Sequence, residues 1–395
     1  MQRSIWILII CAGSIMALSV GFRQAMGLFL TPITLDLGLG RESFALGMGL
    51  MNLFWGLGAP IAGAIADRHG AGRVAVTGGL LYATGLLTMI QSGEGAQLLI
   101  GGTLIGLGLS GSGFTVILGT VGRLAPPENR AQALALASVG GSIGQFLALP
   151  YTHVLIDGFG WMLALVILAA SALLIVPLAT GLRGQSDDAD EMQSRSAGAA
   201  LKEACQVPGF WLLNAGFFVC GFHLAFVAVH IPAYLADKSF APWLATAALT
   251  TIGLSNIIGS YGCGALGGYF PKKYVLSGIY LGRALIFYLF LVTPISETTV
   301  LIFSAAIGLL WLGTVPLTSG LVGHIFGTQH MSMLFGFVFL GHQFGGFLGA
   351  WLAGSIFDTF GSYDAMWWLS IALGILSAAL HWPIAEKPVR SAAIQ

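Results

Sequence analysis

The chain contains twelve long apolar runs, separated by short polar or glycine- and proline-rich clusters, and this pattern constrains its fold most strongly. Each run has about 20 residues or more, the length that an α-helix needs to cross roughly 30 Å of hydrocarbon. Charged residues make up 8% of the chain, whereas a soluble domain has about 25%. The sequence therefore predicts an all-α membrane protein with twelve transmembrane helices.

We number these runs span 1 to span 12. They cover residues 4–33, 43–66, 73–91, 97–121, 131–155, 161–182, 208–235, 243–268, 274–294, 299–323, 331–356 and 364–384. One long polar segment, near residue 190, divides them into two sets of six. The predicted domains are an N-terminal six-helix bundle at 1–183, a cytoplasmic linker at 184–206 and a C-terminal six-helix bundle at 207–395.

The distribution of lysine and arginine predicts the orientation in the membrane. With both termini in the cytoplasm, 12 of the 16 cations lie on the cytoplasmic side, and the outer loops hold only Arg41 and Lys238. The other two, Arg23 and Arg283, fall inside spans 1 and 9. Cytoplasmic loops carry an excess of these residues. We therefore expect a multi-pass protein of the cell (inner) membrane with both termini cytoplasmic.

The two halves of the chain resemble each other in sequence. At a shift of 201 residues, three residues of the first half match three of the second: Asp157, Phe159 and Gly160 match Asp358, Phe360 and Gly361. Near the start the matching shift is 200, which pairs Arg23 with His223. Parallel repeats of this kind hold a substrate between the halves near the bilayer midplane. We therefore expect Arg23 and His223 to face each other across a central cavity.

Arg23 is the residue that points most directly to a function. Its guanidinium stays charged, because its pKa exceeds about 12. At mid-membrane this charge costs on the order of 3 kcal/mol or more unless a partner offsets it. None of the 16 Asp and Glu residues falls in the interior of a predicted span, and Asp364 is the first residue of span 12. The partner would therefore be an anion that the chain does not supply, which predicts a protein that moves anions across a membrane.

Other polar residues and one aromatic residue of the spans could line the same cavity. Besides Arg23, the candidate substrate-binding residues are His223, Gln145, Asn256, His342, Gln343, Trp311 and Arg283. Amides are costly to bury without partners, and histidine titrates near neutral pH. Two alternatives stay open: His223 could pack as a polar residue between helices, and Arg283, midway along span 9, could snorkel or bind backbone carbonyls.

The loop after span 2 reads GAIADRHGAGR over residues 63–73 and resembles the signature loop of the major facilitator superfamily. A degenerate second copy follows span 8, and the repeat covers nearly the whole chain. The resemblance implies two pseudo-symmetric six-helix bundles. It also implies a gating motif that does not contact substrate, formed by Gly63, Asp67, Arg68, Gly70 and Arg73.

Within that superfamily, the stretch GFRQAMGLFLTPI at residues 21–33 is similar to a bacterial branch related to monocarboxylate porters and oxalate/formate exchangers. Those porters carry an Asp and an Arg on span 8, where this chain has Asn256 and Ser260. The carboxylate that would carry a proton there is therefore missing. The arginine inside span 1 also resembles the organic-phosphate exchangers, which keeps phosphorylated anions open as substrates.

The expected function is secondary active transport of a small organic anion, a mono- or dicarboxylate, by alternating access. Proton symport through His223 or His342, anion exchange and uniport all remain open. One alternative is a proton-coupled multidrug or metabolite exporter, although such pumps usually need a carboxylate in the membrane. Another is a transporter-like sensor that binds a ligand without moving it.

Several classes of partner and activity are not expected. No nucleotide loop, catalytic triad or metal signature appears, so neither an enzyme nor a cofactor is expected. The net charge is zero, which gives no electrostatic reason to bind nucleic acid. The expected partners are the organic anion, protons and the lipid bilayer, and the chain is expected to act as a monomer.

Overall fold

The structure is a computed structural model that describes residues 3–91, 95–126, 130–182, 197–327 and 331–389. Within these ranges the chain is helical and has no β-strand. Nine helical segments are long and apolar enough to cross a membrane. One of them, Gln132–Leu182, turns at Gly160 and contains spans 5 and 6. With spans 3 and 8, which are helices of lower hydropathy, the described part of the chain forms twelve membrane helices.

The helices of the N-terminal half follow the predicted spans. Span 1 is Arg3–Ala25, a 3-10 turn at Met26–Phe29 and Leu30–Leu37; span 2 is Arg41–His69; span 3 is Ala71–Thr88. Span 4 consists of Ala96–Ser112 and Phe114–Leu124. Spans 5 and 6 lie within Arg130–Ala172, followed by Ile175–Leu178 and a 3-10 turn at Ala179–Leu182.

The C-terminal half repeats this arrangement. Span 7 is Pro208–Asp237, span 8 is Pro242–Tyr269, span 9 is Lys272–Val292, span 10 is Glu297–Leu309 and Thr314–Phe326, span 11 is Met331–Phe360 and span 12 is Asp364–His381. A short helix, Ala197–Cys205, precedes span 7 inside the predicted linker. Its Ala204 is buried in the core of the C-terminal half. The domain bounds stay predictions, because residues 183–196 lie outside the described ranges.

Packing between helices determines the register of the repeat. A Cβ built on Gly144 of span 5 would collide with the backbone of Ala17 in span 1, and one on Gly345 of span 11 with Phe218 in span 7. Gly144 and Gly345 are 201 residues apart in the chain, and so are Ala17 and Phe218. The shift of 201 therefore relates the two halves in spans 1 and 7 as well as in spans 5 and 11.

The shift of 200 that pairs Arg23 with His223 is therefore wrong. At 201, Arg23 is equivalent to Leu224 and His223 is equivalent to Phe22. A change of one residue turns a helical side chain by about 100°. Arg23 and His223 therefore point in different directions within their halves.

Among the described residues, contacts between the two bundles along three pairs of spans include a glycine. The pairs are span 1 with span 7 at Gly27 and Ala228, span 2 with span 11 at Gly56 and Gln343, and span 5 with span 8 at Phe146 and Gly253. The largest apolar cluster is built mainly from spans 7–12, while the two others come mainly from spans 1–6. Each half thus has its own core, and a polar site between the halves disturbs neither.

Candidate functional site

Arg23 has few partners for a charged side chain inside a membrane. Its Nη2 donates to Oδ1 of Asn52 at 2.8 Å. Its guanidinium carbon lies 5.1 Å from the ring centroid of Trp55, within the range of a cation–π interaction. Its Nε is buried and has no hydrogen-bond partner. Among the described residues no ion pair joins Arg23 to a carboxylate, so its charge lacks an internal counter-ion.

Asn52 of span 2 orients this guanidinium. Its Nδ2 donates to the carbonyl of Met48 one turn earlier, at 2.9 Å, so its Oδ1 is left to accept from Arg23. The Asn52 side chain is buried, with 1% of its surface exposed. Because both ends of the amide are engaged, Asn52 has a single useful orientation and holds Arg23 in place.

Span 11 of the other half covers this region. The ring of Phe339 meets the ring of Trp55 edge to face, with centroids 5.4 Å apart. Gly346 lies against Asn52, and Gln343 lies against Gly56 one turn further along span 2. These glycines let spans 2 and 11 approach closely. Arg23, Asn52 and Trp55 therefore lie at the surface where the two halves meet.

His342 and Gln343 bring unpaired polar atoms to this surface. Oε1 of Gln343 lies 3.1 Å from Nδ1 of His342, and an amide oxygen only accepts, so Nδ1 carries the hydrogen. His342 Nε2 and Gln343 Nε2 are buried without partners. Oε1 of Gln145, on span 5, is buried without a partner as well. Since buried polar atoms are normally hydrogen-bonded, these atoms are candidates for contact with a ligand.

The site lies deep in the membrane. Asn52 and Gln343 are each at least 11 residues from either end of their helices. At a rise of 1.5 Å per residue this corresponds to about 16 Å. A charge at that depth is poorly solvated, so its attraction for an anion is stronger than at the protein surface.

Arg283 has different surroundings. It is fully buried in the C-terminal half, where Nη2 donates to the carbonyl of Leu310 at 2.6 Å and also to that of Trp311. The break in span 10 releases these carbonyls from helical hydrogen bonding, and such groups must be satisfied inside the protein in lipid. Asn256 stabilises the break as well, because its Oδ1 accepts a hydrogen bond from the backbone N–H of Leu312 at 3.0 Å.

The structure thus groups Arg283, Asn256 and Trp311 around the break in span 10. No described hydrogen bond or ring contact joins them to Arg23. Arg283 binds backbone carbonyls, which was one of the alternatives that the sequence left open. A substrate contact for these three residues stays a prediction.

His223 does not face Arg23. Its Nε2 donates to the carbonyl of Ser370 in span 12 at 2.8 Å, and its ring lies 4.9 Å from that of Phe287 in span 9. The side chain is buried inside the C-terminal half. This corrects the expectation that the two residues oppose each other, and the physical reason is the one-residue difference in register.

The predicted gating motif forms the turn between spans 2 and 3. Gly70 has φ +90°, a conformation that side chains other than glycine rarely adopt. Arg68 and Arg73 are exposed, and Gly63 is partly buried in span 2. The side chain of Asp67 lies outside the described part of the structure. The gating role of these residues therefore stays a prediction.

Polar contacts join the halves at the distal end, by which we mean the end opposite to the termini. Arg41, at the start of span 2, donates to both carboxylate oxygens of Asp237, at 2.8 and 2.5 Å, and to the hydroxyl of Tyr363 at 3.0 Å. Asp358 accepts the backbone N–H groups of Arg41 and Glu42, at 3.0 and 2.8 Å. We call Arg41, Asp237, Asp358 and Tyr363 the distal latch.

The distal latch is extended into the C-terminal half by His230. The hydroxyl of Tyr363 donates to its Nδ1 at 2.9 Å, while its Nε2 donates to the carbonyl of Ala350 at 2.8 Å. Burial raises the pKa of Tyr363 above its ordinary value, so the phenol keeps the proton that it donates. Nε1 of Trp351 adds a further contact between the halves by donating to Oε1 of Glu42 at 2.9 Å. The distal ends of the two halves are therefore in contact.

Sequence reasoning missed Asn52, Phe339 and the distal latch. Asn52 carried a usable signal, because it is the one amide or charged residue in predicted span 2. Arg41 and Asp237 carried none, since they are 196 residues apart and each lies in an ordinary polar loop.

Comparison with known proteins identifies the family. The model of the Major Facilitator Superfamily matches residues 9–313 of the chain. The chain belongs to this superfamily. Monocarboxylate transporter 13 of Rattus norvegicus is 26% identical, over 91% of this chain and 84% of that protein. The MFS-type transporter YhjX of Escherichia coli is 25% identical, over 87% of this chain and 86% of that protein.

Solved structures share the superfamily fold. A bacterial homologue of the human lysosomal transporter Spinster, in an inward-facing and unoccupied conformation, matches with a TM-score of 0.81 and 16% identity, over 96% of this chain and 97% of that one. A D-xylose–proton symporter matches with a TM-score of 0.74 and 14% identity, over 98% of this chain and 100% of that one. The protein is thus a multi-pass membrane transporter with two six-helix bundles, and not an enzyme.

Proposed function

We propose that this transporter moves a small organic anion, a mono- or dicarboxylate, across the inner membrane, and that Arg23 binds its carboxylate. The observation that carries the proposal is the partly buried guanidinium of Arg23, which has one hydrogen bond, a buried and unpartnered Nε and no carboxylate partner among the described residues. A charge so deep in the membrane is costly unless it is paired. Binding a substrate anion offsets that cost.

The geometry of Arg23 suits a carboxylate. Guanidinium groups bind carboxylates through two parallel N–H donors. Asn52 accepts one hydrogen bond from Nη2, and the N–H of Nε has no partner and can donate to the substrate. Trp55 and Phe339 form an aromatic wall beside it for the organic part of the anion. The relatives named as monocarboxylate transporters support this choice of substrate class.

Donors from both halves converge on this region, which supports alternating access. Arg23 belongs to the N-terminal half, and Gln343, whose Nε2 is unpartnered, belongs to the C-terminal half. A bound anion that contacts both would couple substrate binding to the movement of one half against the other. With both termini cytoplasmic, the distal latch closes the outer side in this state. Since one chain supplies both halves of the site, the proposed unit is a monomer.

His342 is the proposed site of proton coupling if transport is proton symport. Its Nε2 is buried without a partner, so it can accept a proton and become a donor beside the bound anion. His223 also keeps a buried nitrogen without a partner, Nδ1, but its other nitrogen donates to Ser370 inside the C-terminal half, so we propose His342 first. Anion exchange requires no proton at His342, so its substitution separates the two modes.

Thermal unfolding of purified protein with candidate ligands tests the proposal. The panel contains mono- and dicarboxylates, sugar phosphates, nitrate and lipophilic cations, with wild type, Arg23→Gln and Lys238→Gln as a control at the distal end. A ligand at 100 times its Kd adds about 2.7 kcal/mol of stability. We expect carboxylates to stabilise wild type and Lys238→Gln but not Arg23→Gln. Stabilisation by cations, or equal stabilisation of Arg23→Gln, would overturn the proposal.

A further inference from the structure

A cavity lies on the C-terminal half, away from Arg23. It has a volume of about 420 Å³ and lies between spans 8, 9 and 10, with Leu266, Phe270, Tyr274, Ile279 and Leu310 among its lining residues. None of its lining residues belongs to the N-terminal half. It is therefore separate from the surface where the two halves meet.

The cavity is an apolar groove that runs from the end of span 8 toward the middle of the membrane. Phe270 and Tyr274, at the end of the groove on the side of the termini, are 59% and 42% exposed. Ile279 lies seven residues after the start of span 9, about 10 Å along the helix. Gly278 has no atom within 4 Å of the position of a Cβ, so the groove is open there. The groove has the shape and polarity of a site for an acyl chain.

Two lysines follow, in sequence, the end of this groove that lies on the side of the termini; neither is a lining residue, and the side chain of Lys272 lies against Gly320 of span 10. Lys272 and Lys273 are the first residues of span 9 and directly follow the lining residue Pro271. The carboxylate of Glu386 accepts the backbone N–H of Lys273, and no ion pair to either ammonium group is found among the described residues. The N-terminus of a helix adds a partial positive charge. This end of the groove is therefore suited to an anionic group.

Aromatic side chains mark the same level as the membrane interface. Tyr274 and Trp382 are both exposed, and their ring centroids are 4.7 Å apart. Nζ of Lys273 lies 4.9 Å from the ring centroid of Tyr274. Exposed aromatic residues beside lysines are typical of the level of the lipid headgroups. The groove thus begins at the headgroup region and continues into the hydrocarbon.

We propose that this groove binds one anionic phospholipid, with an acyl chain along Phe270, Ile279 and Leu310 and the phosphate on the ammonium groups of Lys272 and Lys273. Basic pockets between membrane helices are suited to anionic headgroups. The acyl chain ends against Leu310, whose carbonyl binds Arg283 at the break in span 10. A bound lipid therefore stabilises the C-terminal half without contacting the substrate site.

Lipid titration of the purified full-length protein, followed by native mass spectrometry and by the unfolding temperature, tests this inference. The ligands are phosphatidylglycerol, phosphatidylcholine with the same acyl chains, and inorganic phosphate. We expect wild type to prefer phosphatidylglycerol. The double variant Lys272→Gln/Lys273→Gln should bind it about 30-fold more weakly, from on the order of 1 kcal/mol per lysine at the membrane surface.

Two further variants complete the test. Gly278→Leu fills the open part of the groove and should weaken the binding of both lipids, whereas Lys238→Gln, at the distal end, should behave as wild type. Equal affinity of wild type for the two lipids would overturn the proposal. An unchanged preference in the double lysine variant, or stabilisation by inorganic phosphate equal to that by phosphatidylglycerol, would do the same.

Discussion

Arg23 and Arg283 are both arginines inside the membrane, yet their surroundings differ in kind. Arg283 has no exposed surface and donates through Nε and Nη2 to the carbonyls that the break in span 10 releases, so that its Nη1 is the nitrogen left without a partner. Arg23 donates only to Asn52, lies beside Trp55 and keeps Nε unpartnered at the surface between the halves. One guanidinium completes the backbone of its own half, and the other is available to a ligand.

The comparison teaches how to separate a structural cation from a functional one. The carbonyls bound by Arg283 would be left unsatisfied in its absence, so the folded state depends on it. Arg23 leaves only the amide of Asn52 without a partner if it is removed. We therefore expect stability to depend on Arg283 and ligand binding to depend on Arg23.

The largest expected effect is that of Arg283→Met on stability. The substitution leaves two buried carbonyls unsatisfied, at about 1–3 kcal/mol each, so the free energy of unfolding should fall by about 4 kcal/mol. Arg23→Met is the matched control and should lose much less. Thermal unfolding without ligand measures both. A larger loss in Arg23→Met than in Arg283→Met would reverse the comparison.

Asn52→Asp should abolish anion binding while preserving the fold. The new carboxylate stands 2.8 Å from Nη2 of Arg23 in the unsubstituted geometry and supplies the internal counter-ion that the spans lack. Loss of a ligand at 100 times its Kd removes about 2.7 kcal/mol of stabilisation. Ligand-dependent unfolding measures this loss, and Asn52→Ala, which only removes the orienting amide, is the control. Normal anion binding by Asn52→Asp would show that Arg23 does not bind the substrate.

His342→Gln should remove proton-driven uptake but not exchange, if the transporter is a symporter. The substitution replaces the Nε2 that is buried without a partner beside Gln343. Uptake into proteoliposomes with and without a pH gradient measures the effect, and counterflow measures exchange. His223→Gln is the control and should keep its pH response. If His223→Gln lost the pH response and His342→Gln kept it, the proton would be assigned to His223 instead of His342.

The smallest expected effect is that of Arg41→Gln on the conformational equilibrium. The substitution removes a partly exposed ion pair to Asp237, and ion pairs at the surface contribute about 1 kcal/mol or less. The distal ends should therefore separate in a larger fraction of molecules, roughly fivefold at most. Spin labels on the distal loops, at Phe159 and Thr293, measure their distance distribution. An unchanged distribution would show that the distal latch does not keep that end closed.

Features that depend on short stretches of sequence were predictable. The twelve helices follow from run length and hydropathy, and all of them lie where the predicted spans are. Arg23 could be identified as a candidate because no acidic residue lies in the interior of a predicted span. Asn52 could have been found by the same reasoning, since it is the single amide of its span.

Features that depend on register and on distant contacts were not predictable. The sequence predicted a shift of 200 near Arg23, whereas packing at Gly144 and Gly345 supports 201. This one-residue error placed His223 opposite Arg23. The contact of Arg41 with Asp237, on different halves, likewise has no local signature.

Hydropathy alone was enough to establish a membrane protein of two six-helix halves, because every helix must satisfy its own backbone in lipid. Only the folded molecule shows which arginine binds backbone carbonyls and which one is left for a ligand. That difference arises from the break in span 10, which presents carbonyls to Arg283, while the halves meet at Arg23. Such partners come from residues far apart in the chain, and only packing brings them within hydrogen-bonding distance.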